Sequence, residues 1–451
     1  MTDLSALSGV KGDGLMEVYE ARRLDDLSDA QLALAAAQVL SVPLATEERA
    51  NSFVLHAPLE LLARFGLLAY VAPGWRRAAR LRVLSLVSGY LEAGEKLTAQ
   101  PGAWSQGAGL PARLRAAISS GDLDEVDRLG PWASADFSAG ELRQAFAEDA
   151  LGHLGAAGHA NIYFDLAAGH PTANLGPILL WPVARELAKS PGRSMVTAAQ
   201  HRRLLGNGRL SPSAAVGAVP LIGPATAWGI AGLVEKAEET GAVAEVLSAA
   251  GEGIKQQPAL AGRDLLRAAA STMLQGPAEH APYGWTHCLT LSQAALAQAG
   301  ALGDPTRATA VATAYVTAHW SCLARAPFVP GWEPEPVATS LADALDDNPI
   351  VAASSVWHMP AAQLADVPGI LATRAAVAHD AHHVKYTLAC IRAAAGDPGG
   401  TRLFLAAAAY LAAWWAGHGD GNDPFTAGAL RPQGRAADPS AAFTLPVATP
   451  G

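Results

Sequence analysis

The chain has 451 residues, half of them hydrophobic, and a formal net charge of −9. This length corresponds to roughly three domains at about 150 residues each and is ample for a large core. The Lys and Arg residues form no clustered stripe, which argues against nucleic acid as a partner. The three cysteines, Cys288, Cys322 and Cys390, are odd in number and far apart. Such usage argues against a disulfide framework and a thiolate zinc site and is typical of a reducing cytoplasm.

No membrane or export segment is predicted. The N-terminal sequence MTDLSALSGVKGDG lacks the basic start and apolar run of a signal peptide. The most apolar run extends from Leu403 to Ala416. Its length of about 14 residues is short of the roughly 20 needed to span a bilayer. We therefore expect a cytoplasmic protein without a membrane partner.

The residue pattern predicts an all-α protein of many short to medium helices. Alanine and leucine dominate, and they favour helix over strand. Apolar residues recur at three- and four-residue spacing, as in LSDAQLALAAAQVL and AGRDLLRAAASTML. Gly and Pro interrupt these runs at short intervals. Neither an alternating strand pattern nor a 34- or 40-residue repeat is evident.

Single histidines occur in three separate segments at the starts of predicted helices or in small-residue runs. His56 precedes Pro58, and proline favours the first turn of a helix, so we expect the helix to start there. His159 lies in the run GAAGHA, whose small residues allow backbones to approach closely. His287 lies beside aromatic residues, just before an amphipathic helix. A lone histidine in an apolar helix is more often a hydrogen-bonded core residue than a ligand. These three therefore indicate a metal site only if other ligand residues lie near them.

The densest polar cluster is the sequence AHDAHHVKYT, residues 378–387. His382 and Lys385 are three residues apart and would share a helical face, and His379 lies three residues before His382. Such a set suits a metal or acid–base site. The alternative is a solvated face with a surface ion pair, worth under about 1 kcal/mol. Which of His379, His382 and His383 would bind a metal is open, and His379 could instead orient a ligand.

Several common catalytic motifs are absent. The chain has no GxGxxG, GxxxxGK[ST], GxSxG or HExxH sequence. The dinucleotide, P-loop, serine-hydrolase and zincin classes therefore lack their usual support.

Four segments resemble, in the same order, those of the questin-oxidase-like family. NSFVLHAPLELLARFG is similar to the family's NHGPM segment and GAAGHANIYFDLA to its FHGLIRTAHA segment. YGWTHCLTLSQAALA is similar to its third histidine segment, and HDAHHVKYTLACIRA to its C-terminal HxxHVVK helix. The chain departs from the family's segments at two places, which bear on the type of substrate more than on metal binding. Leu55 and Ala57 replace the Asn and Gly of NHG, and Ile162–Leu166 lacks the arginine and second histidine of IRTAH.

The resemblance implies a non-haem iron oxygenase of secondary metabolism, either a mono- or a dioxygenase. Its members act on anthraquinone-like or other polycyclic aromatic polyketides, by Baeyer–Villiger-type oxygen insertion or oxidative ring C–C cleavage. The partners would be an aromatic or quinone substrate and O₂. The resemblance also implies Fe(II) as cofactor, with carbon dioxide bound as a carbamate on a lysine. The metal ligands would be His56, His159, His287, His382 and carbamylated Lys385, of which His382 and Lys385 are the expected catalytic pair.

The physical chemistry of the residues agrees with this set. Neutral imidazoles suit iron, with hard oxygen ligands completing the shell. A buried lysine resists protonation, and a neutral amine can add carbon dioxide to become an anionic oxygen ligand. Asp380 is expected to orient a ligand or to interact with a helix dipole. The candidate lining of an apolar substrate pocket comprises Tyr163, Tyr283, Trp285, His319 and Trp320.

Ligands from residues 56 to 385 can meet only if residues 1–421 form one catalytic domain. We therefore expect a large single-unit multi-helix array with the metal site at its centre. Residues 422–451, rich in Pro, Ala and Gly, are expected to form an irregular tail. A homodimer is left open, and NADPH is supported by no motif. Two alternatives remain: a hydrolase or lyase that uses zinc or manganese as a Lewis acid, and a non-catalytic helical ligand-binding scaffold.

Overall fold

The computed structural model describes residues 3–45, 52–98, 109–169, 175–189, 198–223, 229–419, 423, 425 and 430. Within these residues the fold is an all-α multi-helix array, which confirms the predicted fold class. No strand forms there, and Leu44 and Lys96 form an isolated antiparallel bridge. None of the described helices is both long and apolar enough to cross a membrane. Most of the predicted 422–451 tail lies outside the described residues, and the single-domain organisation stays a prediction.

The helices of the N-terminal half are labelled α1 to α12 in chain order. They span Asp13–Ala21, Asp29–Leu40, Ser52–Leu67, Arg76–Glu92, Leu110–Ser120, Leu123–Asp136, Ala139–Leu151, His159–Ala168, Leu175–Ile178, Leu180–Ala188, Ala198–Arg203 and Pro212–Ala218. The helices of the C-terminal half are α13 to α24. They span Ile230–Glu239, Ala242–Gln256, Pro258–Gln275, Thr286–Ala297, Ala299–Leu302, Pro305–Leu323, Leu341–Ala344, Pro349–Trp357, Ala361–Leu364, Val367–Val377, Ala381–Gly396 and Thr401–His418.

Helix α3 begins earlier than Pro58 predicts. It starts at Ser52, so that Pro58 lies inside it and His56 is already helical. Proline holds φ near the helical value, and the cost of an interior position is mainly one lost backbone hydrogen bond and local crowding. The expectation that His56 precedes the helix is therefore wrong.

Four helices pack against one another in a closed cycle. Helix α3 contacts α8, α8 contacts α16, α16 contacts α23, and α23 contacts α3. Each of the four carries one of the predicted histidine ligands: His56, His159, His287 and His382. Sites for metals and cofactors in helical proteins are commonly built from side chains on such facing helices. Helix α24, predicted from its nearly all-round apolar sequence to be buried, packs on α23 and is buried along most of its length.

A left-handed turn leads into α8. Ala156, Ala157 and Gly158 have φ values of 47°, 59° and 74°. A left-handed conformation costs a residue with a Cβ atom roughly 1–2 kcal/mol. At Gly158 an added Cβ would also lie 2.5 Å from a methyl group of Leu291 on α16. This turn therefore sets both the start of α8 at His159 and its close approach to α16.

We expect Gly158→Ala to lower the free energy of unfolding by about 1–3 kcal/mol, from left-handed strain and overpacking. Gly253→Ala, at a helical glycine with open space around its Cβ position, should raise the free energy of unfolding by up to about 1 kcal/mol. Urea denaturation of both variants measures these changes. Equal effects of the two substitutions would contradict the role assigned to the turn.

Candidate metal centre

The Nε2 atom of His159 is the point at which the candidate residues meet. It lies 2.9 Å from Nε2 of His56, 3.1 Å from Nε2 of His287 and 3.4 Å from Nζ of Lys385. An imidazole nitrogen carries either one proton or one lone pair and so makes one hydrogen bond in the ring plane. These contacts therefore cannot all be good hydrogen bonds of His159. A cation shared by the nitrogen lone pairs would satisfy several of them at once.

His56, His159 and His382 could hold a metal ion. One nitrogen from each lies within 4.8 Å of the others. The ring centre of His382 lies 5.0 Å from that of His56 and 5.2 Å from that of His287. Two nitrogens bound at about 2.1 Å to one metal are about 3.0 Å apart at a right angle and about 3.4 Å apart in a tetrahedron. The 2.9 Å and 3.1 Å separations around His159 match a right angle.

One hydrogen bond and one carboxylate contact stand beside the second nitrogens of two rings. The Nδ1–H of His287 faces the carbonyl oxygen of Tyr283 at 2.6 Å, which leaves its Nε2 lone pair for His159 or a metal. Nδ1 of His382 lies 3.4 Å from a carboxylate oxygen of Asp380. Metal-binding histidines commonly present their second nitrogen to a carbonyl or carboxylate in this way, which fixes the tautomer and the ring direction.

Local structure at the starts of α23 and α16 explains the positions of His382 and His287. Asp380 is the N-cap of α23, and its carboxylate accepts hydrogen bonds from the backbone N–H groups of His382 and His383. This agrees with the helix-dipole role expected for Asp380. A π-helical turn, Ala281–Trp285, precedes α16 and holds the carbonyl that orients His287. Such turns are frequent at functional sites.

The four imidazoles are held in the neutral form. Burial is the main cause that lowers the pKa of His56, His159, His287 and His382, and the positive charge of Lys385 lowers each pKa further. Neutral imidazole is the form that binds metals. The site therefore offers lone pairs at neutral pH without the loss of protons that charged ligands would require.

Lys385 is the fifth residue of α23 and is buried beside the histidines. Burial lowers the pKa of its ammonium group to about 8, although the negative charges of Asp380 and Glu60 act in the opposite direction. The neutral amine is therefore within reach near physiological pH.

Sequence spacing alone does not show which of His379, His382 and His383 would bind a metal, and the structure distinguishes them. His379 lies in the linker before α23 and, like His383, is outside the group of three. His383 is buried with no hydrogen-bond partner among the described residues for either ring nitrogen. It lines a cleft with His379 and Trp415, and the lining of this cleft includes none of the three grouped histidines.

Of the five predicted pocket residues, Tyr283 contacts the site. Its ring meets that of His382 edge to face at 4.9 Å, and 54% of the residue is exposed. Trp415 of α24 stands beside Tyr283, with ring centres 6.5 Å apart. Spacing along the sequence gave no signal for Trp415, because it approaches Tyr283 only through the packing of α24.

The other predicted pocket residues are fully buried. The hydroxyl of Tyr163 donates a hydrogen bond to the carbonyl of Gly176, so its proton already has an acceptor within the protein. Trp285 and Trp320 pack on each other at 5.8 Å. His319 donates Nδ1–H to a backbone carbonyl, and its Nε2 has no hydrogen-bond partner among the described residues. Their roles as pocket residues stay predictions.

Comparison of the chain with protein-family models, with curated proteins and with solved structures found no match in any of the three. The geometry of the site therefore stands on this chain's own residues.

Burial lowers the pKa of His319 and of His383 from the ordinary 6.5 to about 4. An unfolded chain protonates these histidines below pH 6.5 while the folded chain does not, so stability falls as the pH drops from 6.5 to 4. Each contributes a loss of about 3 kcal/mol over that interval.

We expect His319→Gln to reduce the slope of unfolding free energy against pH, between 4 and 6.5, by up to ~1.4 kcal/mol per pH unit. Urea denaturation at a series of pH values measures the slope. An unchanged slope would show that His319 is protonated in the folded protein.

Proposed function

We propose that the protein is a non-haem iron oxygenase that acts on a planar, polycyclic aromatic or quinone substrate. The observation that carries the proposal is the contact of His56, His287 and Lys385 with Nε2 of His159. His382 joins His56 and His159 in the group of three that could hold a metal ion. The resemblance of the same residues to the histidine segments of questin-oxidase-like proteins supports it from a separate direction.

The proposed ligands are His56, His159, His287 and His382, with carbamylated Lys385 as a fifth. Imidazole nitrogens and one anionic oxygen suit Fe(II) in hardness and charge. Bound Fe(II) would supply the activation of O₂. The histidines would remain neutral and fixed in tautomer, and the burial of the site would exclude bulk water.

Lys385 would provide the anion in this set. In the proposed step the lone pair of its neutral amine forms a bond to the carbon of CO₂, and one proton leaves the nitrogen for solvent. The product is a carbamate, with one negative charge. The lowered pKa of Lys385 supports the step, because it makes the free amine accessible.

Tyr283 and Trp415 would receive the substrate. The half-exposed ring of Tyr283 contacts His382 on one side and stands near Trp415 on another. Aromatic faces of this kind pack against planar ligands by offset stacking or edge-to-face contact. They would hold a polycyclic substrate beside the metal, where ring oxygenation or C–C cleavage would follow.

A zinc hydrolase is the second candidate. Catalytic zinc sites commonly have three protein ligands and an open fourth position. His56, His159 and His382 offer such a group of three. In that case carbon dioxide and oxygen would play no part, and a bound water would be the nucleophile.

Metal content tests the proposal. Protein purified anaerobically should contain about one iron per chain, the stoichiometry of a single mononuclear site. His382→Ala should lose this iron. His383→Ala is the matched control: it removes a neighbouring buried imidazole outside the group of three, and it should keep the iron.

If the protein is an oxygenase, the iron-loaded protein should take up O₂ when a hydroxylated anthraquinone is added. Stoichiometric zinc with hydrolysis and no O₂ uptake would favour the second candidate. Absence of any bound metal, with equal behaviour of the two histidine variants, would contradict both and leave the helical scaffold.

The carbamate gives a separate prediction. Wild-type protein equilibrated with ¹³C-bicarbonate and diamagnetic Zn(II) should show one carbamate resonance by ¹³C NMR, and Lys385→Ala should lack it. We expect Lys385→Ala to bind iron at least 10-fold more weakly, because an anionic ligand is lost. Lys385→Glu, which supplies a carboxylate, should recover part of the affinity. Wild-type affinity in Lys385→Ala would exclude the lysine as a ligand.

A further inference from the structure

Helix α22 (Val367–Val377) ends in four carbonyl groups that its own hydrogen bonds cannot satisfy. The guanidinium of Arg64, on α3, binds one of these carbonyls and two carbonyls of the linker that follows the helix. It donates to the carbonyl oxygens of Ala376, Ala378 and His379 at 3.0, 3.0 and 3.1 Å. Arg64 is 2% exposed. One buried side chain thus binds three of the four carbonyls in the corner between α22 and α23, residues 376–379.

A second arginine completes the corner. Arg82, on α4, donates from Nε to the carbonyl of Val377 at 2.6 Å, and its two remaining nitrogens pair with Asp423. Consecutive carbonyls from Ala376 to His379 are therefore each bonded to a guanidinium. Cations are also the favoured groups at a helix C-terminus, where the macrodipole is negative.

Glu60 balances the charge of Arg64. It is 6% exposed and accepts a hydrogen bond from Nε of Arg64 at 2.7 Å. A buried guanidinium is tolerated when it is paired and all its donors are used. His56, Glu60 and Arg64 are spaced by four residues along α3 and share one face of that helix.

The corner leads directly to the metal ligands of α23. Asp380 follows His379 and caps α23 through the backbone N–H of His382. A displacement of the 376–379 backbone would therefore move the cap and, with it, the ring of His382. Arg64, which holds this backbone, lies on α3 about two turns after His56.

We propose that Arg64 is a positioning residue, which sets α23 against α3 so that His382 meets His56 and His159. Glu60 supports it by holding the guanidinium in place. This inference rests on the metal site proposed above. Two readouts are needed, one with a metal and one without.

The first readout is Co(II) binding, followed by its visible absorption spectrum. We expect Arg64→Met to weaken Co(II) affinity by about 10- to 100-fold, as is usual when groups that orient metal ligands are removed, and to change the spectrum. Arg64→Lys should fold and be affected less, because one ammonium can replace only part of the fork of donors.

Arg185→Met is the matched control. Arg185, on α10, is also largely buried and holds Asp127 of α6 through Nε. Neither helix carries a proposed ligand. Its loss should lower the melting temperature while Co(II) affinity and spectrum stay as in the wild type.

The second readout is hydrogen exchange of the protein without added metal. Arg64→Met and Arg64→Lys should speed exchange in peptides covering residues 376–384, and Arg185→Met should not. If the wild type binds no Co(II), the metal site fails, and the exchange result still decides whether Arg64 holds the corner. Exchange at 376–384 as in the wild type in both Arg64 variants would overturn the proposal. If the wild type binds Co(II), unchanged Co(II) affinity and spectrum in Arg64→Met would overturn it as well.

Discussion

The convergence of buried nitrogen atoms on Nε2 of His159 is the constraint on which the site depends. The contacts made by this one nitrogen cannot all be good hydrogen bonds. A buried polar atom left without a good hydrogen bond costs about 1–3 kcal/mol. Burial lowers the pKa of the His159, His287 and His382 imidazoles well below the usual value, so their protonation does not relieve the crowding. Structural zinc sites in small domains bind their metal with about 10–16 kcal/mol. That magnitude is large enough to offset the cost of assembling the cluster.

The fold supplies this convergence through a cycle of four helices rather than a local motif. His56 and His382 lie far apart in sequence, on α3 and α23, which contact each other. His159 enters α8 from a left-handed turn, and His287 follows a π-helical turn. His159 and His287 thus follow irregular turns at helix starts. His56 and His382 lie on two helices that pack against each other. A coordination shell needs such fixed positions, because a misplacement of even 1 Å weakens it.

Part of this site could be predicted from the sequence. The all-α class followed from composition and from the helical spacing of apolar residues. The family resemblance pointed to His56, His159 and His382, which the structure places close enough together to hold a metal ion. Spacing could not choose between His379, His382 and His383, since that choice depends on where Asp380 caps α23. The start of α3 was misplaced because proline favours the first turn of a helix, whereas α3 accommodates Pro58 in its interior despite the lost backbone hydrogen bond.

Other features lay beyond the sequence pattern for a different reason. Arg64 sits four residues after Glu60 in an apolar helix, a signal of a buried ion pair. Its carbonyl partners near Ala376 are more than 300 residues away, and no local rule predicts them. His287 was predicted as a ligand by resemblance; it contacts His159 but is outside the group of three, so its role as a ligand stays a prediction.

A crystal structure of the iron-loaded protein, with anomalous diffraction recorded at the iron edge, tests the central claim most directly. The account predicts one strong anomalous peak, about 2.0–2.2 Å from a nitrogen of each of His56, His159 and His382. Density for His287 and a branched extension on Lys385 should complete the shell. No peak at this position, or a peak bound by other residues, would contradict the account.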